Sequence, residues 1–135
     1  MFLGVFDGHA GQDTAIYAAE SVHKAVMATD AWASGDIKAA LEGGIMEVDR
    51  ALERMSKSAF TNVASIDTGE AVNTPPSGVS SVGDPNLPVT DGSGCTSVFC
   101  VIKDGTLWCA NSGDSRCVLC VGGQVQTVAL QLECF

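Results

Sequence analysis

Met1-Phe2-Leu3-Gly4-Val5-Phe6-Asp7-Gly8-His9-Ala10-Gly11 decides how the rest of the chain is read. An apolar run stops at a carboxylate, a glycine and an imidazole, the pattern of a buried strand that delivers Asp7 to the edge of a sheet. An unpaired carboxylate in an apolar interior is costly, so a cation is its natural partner there. A second stretch repeats the pattern. Ser93-Gly94-Cys95-Thr96-Ser97-Val98-Phe99-Cys100-Val101-Ile102 is followed, after a turn, by Leu107-Trp108-Cys109-Ala110-Asn111-Ser112-Gly113-Asp114-Ser115-Arg116, where a strand again runs into a carboxylate.

Outward from the first strand, Ala15, Ala18, Ala19, Val22, Ala25 and Val26 recur at three- and four-residue intervals and predict a helix over 12–29 that packs on a sheet. A second helix is expected with Asp36 as its N-cap and Ile37, Ala40, Leu41, Ile45, Val48, Leu52 and Met55 on its inner face. Glu42, Glu47, Asp49, Arg50, Glu53 and Arg54 then face away. Gly43-Gly44 weakens the middle by about 1 kcal/mol per glycine relative to alanine, which marks a place for a kink. From 56 to 93 the composition turns to Ser, Thr, Gly, Pro, Asn and Asp, and residues 57–93 read as a low-complexity loop or insertion. Strands are expected at 95–102, 106–110, 116–121 and 124–129, joined by Lys103-Asp104-Gly105 and Gly122-Gly123 turns into an antiparallel meander.

A chain of 135 residues suits one domain, here 1–135. Its 46% hydrophobic and 17% charged residues fit a buried sheet better than a disordered acidic tail. The formal charge of −9 repels phosphate backbones, which argues against a nucleic-acid partner. No apolar stretch reaches the roughly 18 residues of a membrane span, so no membrane segment is expected. No basic region precedes the first apolar run, and a cytoplasmic or nuclear location is the default. Of the six cysteines, at 95, 100, 109, 117, 120 and 134, five lie in apolar strand-like runs and read as small buried hydrophobes. Cys117 and Cys120 form a C-x2-C, but on a strand their odd separation sends them to opposite faces, unlike a pair of zinc ligands.

Asp7-Gly8-His9, then Ser93-Gly94-Cys95-Thr96, then Ala110-Asn111-Ser112-Gly113-Asp114-Ser115-Arg116 resemble, in order and in strand context, the type 2C metal-dependent protein serine/threonine phosphatases. The resemblance runs from Phe2 to Gly122. It implies an α+β fold, a partial α-β-β-α sandwich of antiparallel strands with two helices packed on the sheet. It implies hydrolysis of phosphoserine and phosphothreonine in proteins by a metal-activated water, with two Mg²⁺ or Mn²⁺ ions and a weaker third, and phosphorylated proteins as substrates. Carried over residue by residue, Asp7 bridges the metal pair, the Gly8 carbonyl joins one shell, and His9 gives a proton to the departing oxygen, a step worth about 10²–10⁴ in rate. The alternative for His9 is a hydrogen-bonded turn histidine. Asp114 matches the aspartate of the third metal, or caps a turn. Arg116 holds structure near the substrate side, Thr96 and Ser97 read as strand surface, and His23 reads as structural.

The family pattern also has an arginine and an acidic residue on a strand ahead of Asp-Gly-His, and two later aspartates, none of which is among these residues. Val128-Ala129-Leu130-Gln131-Leu132-Glu133-Cys134-Phe135 stands where a Thr-x-Asp-His-type segment is expected, and Ala10 replaces a glycine, a mild change if its φ is negative. The expectation is therefore a fragment of the domain with little activity alone. Two rivals stand beside it: a catalytically dead module that binds partners through an exposed sheet or edge strand, and an acidic turn-rich domain without metal.

Overall fold

In chain order the elements are β1 (Phe2–His9), α1 (Asp13–Met27), α2 (Asp30–Ser34), α3 (Ile37–Ala64), β2 (Gly94–Lys103), β3 (Thr106–Ser112), β4 (Val118–Val121), β5 (Gln124–Thr127) and β6 (Leu130–Gln131). The computed structural model describes residues 1–64, 92–127 and 130–131, with side chains for 1–56 and 92–125. The strand β2 organises the sheet, because alternation divides its side chains between two unlike faces. Ser97, Phe99 and Val101 point to one side and are buried, while Thr96, Val98, Cys100 and Ile102 point to the other. On one flank β1 runs antiparallel, from Phe2 opposite Val101 to His9 opposite Gly94. On the other flank β3 runs antiparallel, from Thr106 opposite Lys103 to Ser112 opposite Ser97, and β6 adds to β3 in parallel. The order is β1-β2-β3-β6.

Helices cover only the Phe99 face. On α1 the residues Ala18, Val22 and Val26 are buried at four-residue spacing, and on α3 so are Ile37, Ala40, Leu41, Ile45 and Val48. They close over Phe99, Val101 and Ala110 to form one core. Each large side chain taken fully out of water here contributes about 1.5–3 kcal/mol. Asp36 caps α3 as expected, its Oδ1 accepting from the Ala39 N–H at 3.1 Å. His23 is structural, its ring 5.9 Å from that of Phe2.

Several expectations are corrected. The short helix α2 lies between the two expected ones, started by Thr29, whose Oγ1 accepts from Trp32 N–H at 3.1 Å, and ended by Gly35 at φ +85°. Gly43-Gly44 does not interrupt α3, which is continuous. A Cβ on Gly44 would lie 2.4 Å from Val26 Cγ2 and 2.7 Å from Val26 Cα, so this glycine lets α1 and α3 approach closely. Helix α3 also runs on through 57–64, into the stretch read as loop, and residues 65–91 of that expectation lie outside the described residues. The meander divides. Strands β4 and β5 pair only with each other, as a separate two-stranded sheet, and Arg116 precedes β4 instead of starting it. Strand β1 is an edge strand with Leu3 and Val5 exposed, not a buried one. Among the described residues no helix is long and apolar enough to cross a membrane.

Candidate functional site

Register places Asp7 on the face that the helices leave open. Asp7 stands opposite Thr96 in β1–β2, and Thr96 in turn adjoins Gly113, where an added Cβ would come within 2.8 Å of Thr96 Cβ. Asp7, Thr96 and Gly113 therefore form one row across three strands, and at about 4.8 Å per strand step Gly113 is roughly 10 Å from Asp7. The chain turns at Gly113, with φ +94°, and the next residue is Asp114. A hydrogen bond of 2.5 Å between the Thr96 and Ser115 hydroxyls ties this turn to β2. Thr96 is thus a fastening point for the Asp114 loop, and Ser97 faces the core at 8% exposure, so neither is the plain strand surface expected of them. Asp7, Gly8, His9, Asp114 and Arg116 are all exposed. Asp7 and Asp114 enter no ion pair among the described residues.

The turn after β1 is held from a distance. Gln12, the N-cap residue of α1, makes no side-chain cap. The job falls to Ser93, whose Oγ accepts from the Thr14 N–H at 3.0 Å and donates to Thr14 Oγ1 at 2.9 Å, while Thr14 Oγ1 donates to the Ser93 carbonyl at 2.8 Å. This three-bond clamp joins the start of α1 to the residue just before β2, close in sequence to the Asp7-Gly8-His9 end of β1. Its partners are 79 residues apart, beyond the reach of any local pattern. The His9 ring lies over Gly94, where a Cβ would sit 2.5 Å from His9 Nε2 and displace the imidazole. Ala10 adopts φ +59°, so its substitution for glycine is strained and not mild.

His9 also borders a cleft of about 590 Å³ floored by Ala18, Val22, Ile45, Val48 and Leu52. Asp49 and Glu53, expected to face away, line it too. Asn111, near the end of β3, donates through Nδ2 to the Gly113 carbonyl at 3.1 Å, while its buried Oδ1 has no hydrogen-bond partner among the described residues.

The donors around Asp7 fit a hard divalent cation in kind, being carboxylate and carbonyl oxygens. Gly8 has the form such a site requires, since a Cβ would meet Ala15 Cβ and the Gly11 carbonyl oxygen, each at 3.1 Å, and the backbone stays bare there. In number the donors fall short of the six that such an ion takes. Among the described residues, the one set of three or more ligating side chains close enough to share an ion is Cys100, Cys109 and Cys117.

A sequence model of the family described as protein phosphatase 2C matches residues 1–131. The chain belongs to the protein phosphatase 2C family. It is 34% identical over 128 residues to "Protein phosphatase 2C homolog 2" of Aspergillus fumigatus, covering 95% of this chain and 23% of that protein. It is 30% identical over 138 residues to "Probable protein phosphatase 2C 21" of Arabidopsis thaliana, covering 87% and 38%. With "Probable protein phosphatase 2C 11" of rice the identity is 26% over 148 residues, covering 95% and 40%. The chain thus spans about a quarter to two-fifths of the length of these phosphatase 2C relatives. No solved structure matches it.

Proposed function

We propose that this chain is part of a metal-dependent protein serine/threonine phosphatase, and that Asp7, Gly8, His9 and Asp114 are its share of the active site. The supporting observation is the row Asp7–Thr96–Gly113, which turns two separate motifs of the sequence into neighbours on one open face. Asp7, the Gly8 carbonyl and Asp114 would hold Mg²⁺ or Mn²⁺, and bound ions of this kind supply positive charge opposite phosphoryl oxygens. His9, exposed at the end of β1 and packed on Gly94, would pass a proton to the departing serine or threonine oxygen of a phosphorylated protein, a reading its exposure supports. Arg116, in the loop fastened through Ser115, serves to hold that loop beside the substrate.

The chain by itself is expected to turn over little substrate, because affinity in oxygen sites rises with ligand number and charge. Calorimetric titration with Mn²⁺ should give weak heat that Asp7→Asn abolishes, and a phosphopeptide assay should show little hydrolysis. Turnover that Asp7→Asn removes would overturn the inactivity, and the absence of any heat would overturn the cation site.

A second reading has its own observation. Leu3 and Val5, 58% and 62% exposed, lie on edge strand β1, which suits a partner-binding module that pairs through this strand. A monodisperse monomer in size-exclusion chromatography counts against that reading.

A further inference from the structure

We propose that Cys100, Cys109 and Cys117 form a second, thiolate metal site, selective for Zn²⁺ and separate from the oxygen donors around Asp7. Cys100 and Cys109 are direct cross-strand partners in β2 and β3, so both lie on the side of the sheet away from the helices, Cys100 half-buried and Cys109 buried. The chain leaving β3 returns across that face, fastened by the Thr96–Ser115 hydrogen bond, and brings Cys117 to them. The Cys100 and Cys117 sulfurs are 3.7 Å apart, and all three sulfurs lie within 4.8 Å of one another. A tetrahedral zinc with zinc–sulfur bonds of about 2.3 Å spaces its sulfurs by about 3.8 Å. The three thiols thus stand near three corners of such a tetrahedron, with the fourth left to water or another ligand. Soft sulfur donors select zinc over the magnesium and manganese that suit carboxylates.

The site is also distant from Asp7. Thr96, opposite Asp7, is four residues along β2 from Cys100, a separation of about 13 Å at about 3.3 Å per residue. Burial pushes the Cys109 and Cys100 thiols up, so both are neutral in the free protein. On binding, each thiol gives its proton to solvent as its sulfur bonds the ion, with no change of oxidation state. Cys120 is exposed and outside the cluster, which makes it the internal control.

The test uses the whole chain, kept reduced, with Zn²⁺ competed against a chromophoric chelator. One equivalent should bind, and Cys117→Ser should weaken binding by about 100-fold or more, at or beyond what loss of a supporting residue around a metal costs. Cys120→Ser should bind as the wild type does. Alkylation mapped by mass spectrometry adds a readout that needs no variant to fold: Zn²⁺ should protect the half-buried Cys100 and Cys117 while exposed Cys120 stays reactive, and Cys109, only 2% exposed, reacts slowly with or without the ion. Unchanged affinity in Cys117→Ser, or equal alkylation of Cys100 and Cys117 with and without Zn²⁺, would overturn the proposal.

Discussion

The two faces of the sheet carry opposite burdens. Behind the helices, Phe99, Val101 and Ala110 are 1%, 3% and 0% exposed, whereas across the same strands Leu3, Val5, Ile102 and Leu107 are 58%, 62%, 41% and 36% exposed. One face stores the folding free energy. The other presents exposed Asp7 and, in the loop after β3, exposed Asp114. The division leaves Asp7 and Asp114 in water, where a carboxylate keeps its hydration and is not penalised by burial, while the apolar packing lies on the far side of the same sheet. It also predicts that substitutions a single position apart along β1 or β2 will differ in kind.

The sharpest break is at Phe99. Phe99→Ala should cost about 3–5 kcal/mol in chemical denaturation, because a large ring at the centre of the core leaves a cavity. Ser93→Ala comes next, with a loss of about 1–2 kcal/mol, since it removes a helix cap and unbinds the Thr14 hydroxyl. Amide exchange should then rise around His9 and Thr14 before it rises in α3. A smaller effect of opposite sign is expected at Ala10, where Gly relieves a left-handed backbone and should stabilise by about 0.5–1 kcal/mol in the same measurement. Val5→Thr, on the open face, should stay within about 0.5 kcal/mol of the parent. A cost at Val5 comparable to that at Phe99 would erase the distinction between the faces.

Much of this was legible in the residues themselves. The stripes Ala18-Val22-Val26 and Ile37-Leu41-Ile45-Val48 gave α1 and α3, because a helix that packs on a sheet must repeat its apolar residues at its own period. Asp7-Gly8-His9 and Gly113-Asp114-Ser115 were legible because each is local. What the chain hid was decided by contacts between distant residues. Gly44 looked like a helix weakener, and only the position of Val26 on another helix shows why no side chain fits. The β4–β5 hairpin carried the right turn signal, yet no local pattern says which sheet a hairpin joins. Ser93 sat inside a recognised motif, but its role as the missing cap of α1 depends on a clamp across the fold. The apolar context of the cysteines points to structural roles and the C-x2-C spacing concerns only Cys117 and Cys120, whereas the proximity of the Cys100, Cys109 and Cys117 sulfurs depends on cross-strand register and a returning loop.

Asp7 is proposed to anchor a site for a divalent cation on the face that the helices leave open, together with the Gly8 carbonyl and Asp114. Paramagnetic broadening of backbone amide signals by substoichiometric Mn²⁺ tests it most directly. Selective loss of the signals of residues 7–9 and 114, restored in Asp7→Asn, is the predicted result. Broadening centred instead on Asp49 and Glu53 at the cleft, or spread evenly over the surface carboxylates and unaffected by Asp7→Asn, would contradict it.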